Sequence, residues 1–121
     1  MIIFVALDQA QLNAIDSSIT MKRPYICSGV SPNTLWTLFF TIGIKMTINT
    51  SNCSFNSTPL YFTSLTGAGS QWNVGGYGAI YGPTKDSFTI YTQPLTAYSA
   101  TEMLNTSQVY KWDVSWIGLL E

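Results

Sequence analysis

The sequence contains no histidine, two cysteines, and five Lys or Arg against six Asp or Glu in 121 residues. Without an imidazole, neither a Ser-His-Asp nor a Cys-His nucleophile can be assembled. A zinc site has only Cys27 and Cys53 to draw on, with no C-x-x-C spacing, so no metal ligands and no cofactor are expected. Asp86, Glu102 and Asp113 are the acids from which a catalytic pair could be drawn. Six carboxylates scattered through a chain are ordinarily solvated charges, so no catalytic residues are assigned and the chain is not expected to be an enzyme. The longest basic run is Lys22-Arg23 and the net charge is -1, which excludes the clustered cations of a nucleic-acid footprint. No apolar stretch is long enough for a transmembrane helix, so no membrane span is expected. Residues 1–7 are apolar but lack a positive leading region and are too short for a complete signal peptide. Either the signal has been removed or the true start lies upstream.

Hydrophobic residues make up 46 % of the chain and charged ones 9 %, against roughly a quarter charged in ordinary soluble domains. Thr, Ser, Asn, Gly and Tyr supply the polar surface instead. Thr and Tyr, with Ile, Val, Phe and Trp, prefer pleated, half-buried positions, so the composition favours β-structure. The length fits one domain able to bury a core. Residues 79–91 and 105–120 read as two strands joined by a long excursion. Tyr110, Trp112, Val114 and Trp116 fall at every second position, which sends all four to one face of a strand. With Phe88 and Ile90 from the earlier run, Trp112, Val114 and Trp116 form the expected core of a sandwich.

Residues 1–24 read differently and are taken as an N-terminal extension. Leu12, Ile15 and Ile19 have helical spacing, whereas residues 1–7 could form a strand buried on both faces. Such an apolar stretch is expected to dock on its own domain or on a neighbour, for packing or assembly. Residues 25–121 form the main domain. Pro24, Cys27, Gly29 and Pro32 mark residues 22–33 as loop and turn. Residues 35–40, 43–48 and 59–66 read as strands, and 49–58 as a polar loop. Residues 67–78 hold five glycines around Trp72, which predicts a mobile loop or a short, bulged strand. Density of strands and turns points to an all-β sandwich or barrel.

Two observations bear on compartment. A Cys27–Cys53 disulfide would close a 25-residue loop and suits a secreted domain; two buried free thiols are the alternative. Asn49, Asn52, Asn56 and Asn105 each begin an N-x-S/T sequon, and three of the four lie in one predicted loop. Their clustering reads as a secreted, extracellular glycoprotein, or as a Ser/Asn-rich turn that no transferase meets.

The four Trp and seven Tyr exceed what a small core needs. Aromatic faces pack on sugar rings while amides, carboxylates and phenols bond hydroxyls. Trp72 fits that role or plain packing equally; Trp112 and Trp116 alternate as core residues do.

Pro83-Thr84 with Phe88, then Asn105-Thr106, Val109-Tyr110 and Val114-Ser115-Trp116-Ile117, resemble the end of the H-type lectin domain, the family of snail agglutinins and discoidin C-terminal domains. A broader set of lectin-like domains is similar from Trp36 through Cys53-Ser54-Phe55, residues 59–65, Trp72, Gly76 and Ala79-Ile80-Tyr81 to Gly118. The resemblance spans about 85 residues, mostly core and turn positions, so it speaks more to fold than to function. It implies a six-stranded antiparallel β-sandwich that trimerises and binds N-acetylgalactosamine-like sugars between subunits. Tyr110 matches the family's site tyrosine. Met103 and Leu104 stand where the family has Trp-His, and Gly78 and Ala79 where it has an Arg. A sugar site here would therefore draw on Asp113, Trp72, Asn73, Tyr77 and Tyr98 beside Tyr110. The expected function is a secreted, non-catalytic carbohydrate-binding module whose partners are glycans or glycoproteins. The alternative is a self-assembling structural glycoprotein of an extracellular coat or filament. Either is expected to be a homo-oligomer, a trimer or a polymer.

Overall fold

The computed structural model describes residues 8–10 and 24–121. Gln9 and Ala10 are helical; residues 11–23 and residues 1–7, whose docking was expected, lie outside the described residues. The remainder is mainly β, with seven strands in two antiparallel sheets and one short helix. The strands are β1 (Tyr25–Ser31), β2 (Thr37–Phe39), β3 (Gly43–Asn49), β4 (Leu60–Leu65), β5 (Val74–Gly75), β6 (Ser87–Pro94) and β7 (Val114–Leu120). The helix, α1, spans Ala100–Val109. One sheet has the order β1-β7-β4, the other β2-β3-β6-β5. The sandwich-like class is as expected, with one strand more than the six implied by resemblance.

Alternation decides what faces inward. In β3, Ile44, Met46 and Ile48 are buried and stand opposite Thr92, Ile90 and Phe88 of β6. From the other sheet, Val114 and Trp116 of β7 and Tyr61 of β4 meet them. The Tyr61 and Phe88 rings meet at 4.3 Å, tilted by 33°, and Phe88 meets Trp116 at 6.4 Å in the T-shaped geometry that ring quadrupoles favour. The expected core residues Trp112, Val114, Trp116, Phe88 and Ile90 are all buried. Gly118 also faces inward, and a Cβ there would lie 2.6 Å from the Phe55 ring. Its bare backbone is what lets Phe55 and Tyr61 close over β7.

The disulfide joins Cys27 of β1 to Cys53, in the 3-10 turn Ser51–Cys53 of the loop after β3. It ties the edge of the three-stranded sheet to the loop leaving the other sheet. Beside it, the Tyr25 hydroxyl donates to the Cys53 carbonyl at 2.7 Å. The Tyr61 hydroxyl donates its one proton to the Thr84 carbonyl and so accepts from the Thr50 hydroxyl. Burial raises the Tyr61 phenol above its ordinary pKa; the Thr50 bond opposes that and the Asp86 charge adds to it.

Three expectations need correction. Residues 22–33, expected as loop and turn, carry β1 (Tyr25–Ser31), which pairs along its whole length with β7; Gly29 is accepted there because it faces the Trp116 ring. Residues 105–109 are helix, not strand: Ser99 accepts from the Glu102 amide and starts α1, which ends with Tyr110 N–H on the Thr106 carbonyl. Lys111 then takes a left-handed turn (φ 53°), which breaks the row at its first member. Tyr110 lies outside the buried face, and the inward alternation begins at Trp112. Residues 35–40 also divide. Asn33–Leu35 is a 3-10 turn, Trp36 is buried, and only Thr37–Phe39 pairs in the sheet.

Candidate functional site

The glycine-rich segment 67–78 is held in place rather than loose. Ala68 N–H donates to the Tyr110 carbonyl, and the Trp112 indole N–H donates to the Gly69 carbonyl at 2.8 Å. Gln71 Nε2 donates back to the Gly67 carbonyl. These bonds hold a 3-10 turn, Gln71–Asn73, that presents Trp72 with 82 % of its surface exposed. Val74 then turns inward, Gly75 pairs with Gln93, and the Thr92 hydroxyl donates to the Gly75 carbonyl.

Beside Trp72 lies a polar pocket of about 230 Å³, lined by Ser70, Asn73, Thr96, Tyr98, Glu102 and Thr106. Glu102 is the one carboxylate in it. The capping bond from Ser99 sets the Glu102 backbone, and the Ser99 hydroxyl also donates to its Oε1. The Tyr98 hydroxyl is buried with no hydrogen-bond partner among the described residues. Burial raises the Tyr98 pKa, and the Glu102 charge raises it further, so the phenol stays protonated at neutral pH. The pocket's other polar groups, an amide, a carboxylate and three hydroxyls, are suited to a polyol.

A second depression, about 420 Å³, lies on the outer face of the four-stranded sheet, lined by Phe39, Gly43, Gly75, Gly76, Tyr81 and Tyr91 with Ile42, Thr92 and Gln93. Alternation places Phe39, Gly43, Tyr91 and Gln93 outward here. Phe39 meets Tyr91 at 4.7 Å and Tyr81 meets Tyr91 at 4.8 Å, both edge-to-face. The floor is flat because Gly43 has no side chain; a Cβ there would sit 2.4 Å from the Thr92 carbonyl oxygen. The Gln93 amide makes no hydrogen bond among the described residues and is available to a ligand.

The two depressions follow one another along the β5–β6 edge. Gly75 and Gln93 border the groove; Asn73, whose carbonyl accepts from Leu95 N–H, borders the pocket. Both therefore border the β5–β6 strip.

Of the residues singled out from sequence, the structure brings Asn73 and Tyr98 together in the pocket, with Trp72 on the turn that carries Asn73. Tyr110 lies outside the pocket lining; its ring covers Gly69. Asp113 accepts from both the backbone and side-chain nitrogens of Asn33, at 2.7 and 2.8 Å, and holds the β1–β2 connection. Tyr77 is half-buried against the core, and its carbonyl accepts from Thr63. The groove residues Phe39, Tyr81, Tyr91 and Gln93 were not anticipated. Their one sequence signal is the phase of β6, in which Tyr91 is out of step with the buried Phe88 and Ile90.

Asn49, Asn52, Asn56 and Asn105 are all exposed. The first three occupy the end of β3 and the loop after it, whereas Asn105 sits within α1. The sequon hydroxyl of Asn105, on Ser107, is buried and donates to the Leu104 carbonyl. Among the described residues, no helix is long and apolar enough to cross a membrane.

No family model matches this chain, and no curated protein or solved structure matches it at a significant level.

Proposed function

We propose that the chain is a non-catalytic carbohydrate-binding module of lectin-like type, with its glycan lying along the β5–β6 strip. The observation that carries this reading is the pairing of surfaces on that strip. One is a glycine-floored groove walled by Phe39, Tyr91 and Tyr81, suited to the apolar face of a pyranose. The other is a polar pocket of single-sugar size, beside an exposed indole. The likeness to H-type lectins supports the class of ligand. Tyr110, the one residue that matches the family's site, covers Gly69 outside the pocket lining, and Asp113, chosen for its chemistry, holds Asn33, so this reading draws on other residues. The disulfide and the exposed sequons support secretion as a glycoprotein.

The test is a glycan array probed with the native protein and with Trp72→Ala and Tyr91→Ala. Binding to a glycan subset that both variants lose, with melting unchanged for Trp72→Ala, is the expected result. A native protein that binds no glycan, or variants that bind as well as it does, would end the reading.

A second reading, the self-assembling structural glycoprotein, is favoured by one feature: the apolar outer face of the β1-β7-β4 sheet. On that reading the face joins one copy to the next, and the assembled material is visible by electron microscopy of native protein.

A further inference from the structure

All four strands of the larger sheet have a terminus at the same end. β2 runs into the turn at 40–42, β3 leaves that turn at Gly43, β6 arrives at Pro94, and β5 departs from Val74, which pairs with Pro94. Gly43 lies against Thr92 and Gln93, and the Leu95 side chain lies against Gly75. Three short loops therefore stand side by side: the 40–42 turn, the Gln71–Asn73 turn and the chain after Pro94. They carry Phe40, Ile42, Trp72 and Leu95, each more than half exposed, and Trp72 and Phe40 are the two most exposed large apolar side chains among the described residues. No residue in 37–42, 70–76 or 92–97 is charged. Glu102, in the polar pocket, and Lys45, outward on β3, flank the loops with one charge of each sign. Phe40 has φ 50°, in the left-handed region that a bulky side chain rarely occupies. The turn thus holds an aromatic ring where Gly or Asn would sit more easily.

We propose that this end of the sandwich docks on the surface of a neutral lipid bilayer, with Phe40 and Trp72 entering the headgroup layer. The apolar groups sit on separate loop tips. A fluid interface takes in separate tips, whereas a folded partner would have to supply a pocket for each. Residue type agrees, because an indole with one apolar and one polar edge partitions to the boundary between water and hydrocarbon. The backbone agrees as well. Peptide groups that leave water must be hydrogen-bonded within the protein. Here Ile42 N–H donates to the Phe39 carbonyl, Asn73 N–H to the Ser70 carbonyl and Leu95 N–H to the Asn73 carbonyl. Charge selects the kind of lipid. Binding to anionic headgroups draws on clustered Lys and Arg, and these loops have none, so the matching surface is zwitterionic. The sequons are placed compatibly: Asn49 is at the far terminus of β3, with Asn52 and Asn56 beyond it. This contact needs no sugar and does not depend on the glycan reading; it would hold the β5–β6 strip at the membrane surface.

The test mixes the full chain with phosphatidylcholine vesicles free of glycolipid and reads tryptophan emission, with and without bromine on the acyl chains. Trp36, Trp112 and Trp116 are buried, so Trp72 reports the contact. Emission is expected to shift to the blue and to be quenched by the brominated lipid. Phe40→Asn is expected to weaken vesicle binding about tenfold, the order of magnitude for withdrawing a phenylalanine side chain from an apolar medium. The same variant should melt no earlier than the native protein, because Asn accepts the left-handed turn. Leu60→Asn, at the opposite end, where the neighbouring Tyr61 bonds Thr50, should bind as the native protein does. Unchanged emission, or vesicle binding that leaves Trp72 unquenched, would overturn the proposal. Binding lost in Leu60→Asn and kept in Phe40→Asn would overturn it too, by moving the contact to the other end. Binding that requires a glycolipid in the vesicle would overturn it while leaving the glycan reading intact.

Discussion

Replacing Trp112 by phenylalanine separates the two roles of that residue. Its indole is wholly buried, so it fills the core, and its N–H holds the Gly69 carbonyl, so it fixes the site loop. Phenylalanine keeps most of the apolar contact and removes the hydrogen bond. Losing one partly buried bond of this kind costs about 1 kcal/mol. The smaller ring leaves a void worth about 1 kcal/mol more at roughly 24 cal/mol per Å³. The expected loss is about 2 kcal/mol, or a melting temperature lower by roughly 8 °C for a domain of this size. Trp36→Phe is the control. The Trp36 indole donates to the Trp112 carbonyl, a bond of similar length inside the core, with no reach into the loop. Both variants should therefore lose stability in urea titration. Only Trp112→Phe should speed amide exchange in residues 67–75 and weaken glycan binding. A Trp112→Phe protein within about 0.5 kcal/mol of the native one would refute the reasoning, because surface-like changes stay in that range. Equal loop exchange in both variants would refute the link between core and site.

Replacing Cys27 and Cys53 together by serine should cost about 3.5 kcal/mol by loop-closure entropy for the 26-residue separation, read from denaturant midpoints. A change below about 1 kcal/mol would show that Tyr25 and the β1–β7 pairing hold that corner unaided. Tyr61 and Tyr98 both have raised pKa values in the folded protein, so the folded state holds those protons more tightly than the unfolded chain. Their contribution is fully present below the ordinary tyrosine pKa of about 10 and is lost as pH rises through the folded values. Stability should fall above about pH 10, and Tyr61→Phe plus Tyr98→Phe should flatten that fall; an unchanged alkaline profile would contradict it. Mass mapping of native protein should find N-glycan on at least one of Asn49, Asn52 and Asn56, and none on Asn105. A glycan confined to Asn105 would contradict the accessibility argument.

Much of the sandwich was legible because alternation is a local signal. Residues 43–48 and 59–66 became β3 and β4 within a residue or so, and the inward sets of β3, β6 and β7 follow from period two. The helix was missed because residues 105–120 were read as one strand. Its start was written in the sequence, since Ser99-Ala100-Thr101-Glu102 has the S-x-x-E capping pattern. The apolar positions of α1 gave no such warning, because its buried residues include Ala100 and Ser107. The six-residue sugar constellation was half legible. Asn73, Trp72 and Tyr98 were chosen for chemistry and do gather around one pocket. Asp113 has the same chemistry but is consumed by Asn33, a partner 80 positions away that no local pattern discloses. The groove was illegible for the same reason: Phe39, Tyr81 and Tyr91 meet only after β2, β6 and the Tyr81–Thr89 bridge are in register.

Register also sets where the sequons stand relative to the proposed ligand site. β3 begins at Gly43, in the groove floor, and ends at Asn49, the first sequon. Opposite it, Gln93 borders the groove and Ser87 pairs with Asn49. Six residues of strand therefore separate the two ends, about 20 Å at roughly 3.4 Å per residue. Asn52 and Asn56 follow Asn49 into the loop at that same far end, where the disulfide holds Cys53 against β1. A sugar chain on any of the three leaves from the end of the sandwich opposite the groove. Asn105, on α1, is different. The same helix carries Glu102 and Thr106 into the polar pocket, and Thr106 is its immediate neighbour. A glycan there would stand at the rim of the site. The one sequon whose modification would obstruct binding is thus also the one whose hydroxyl the helix buries, while the three compatible with an open site stand in the exposed loop.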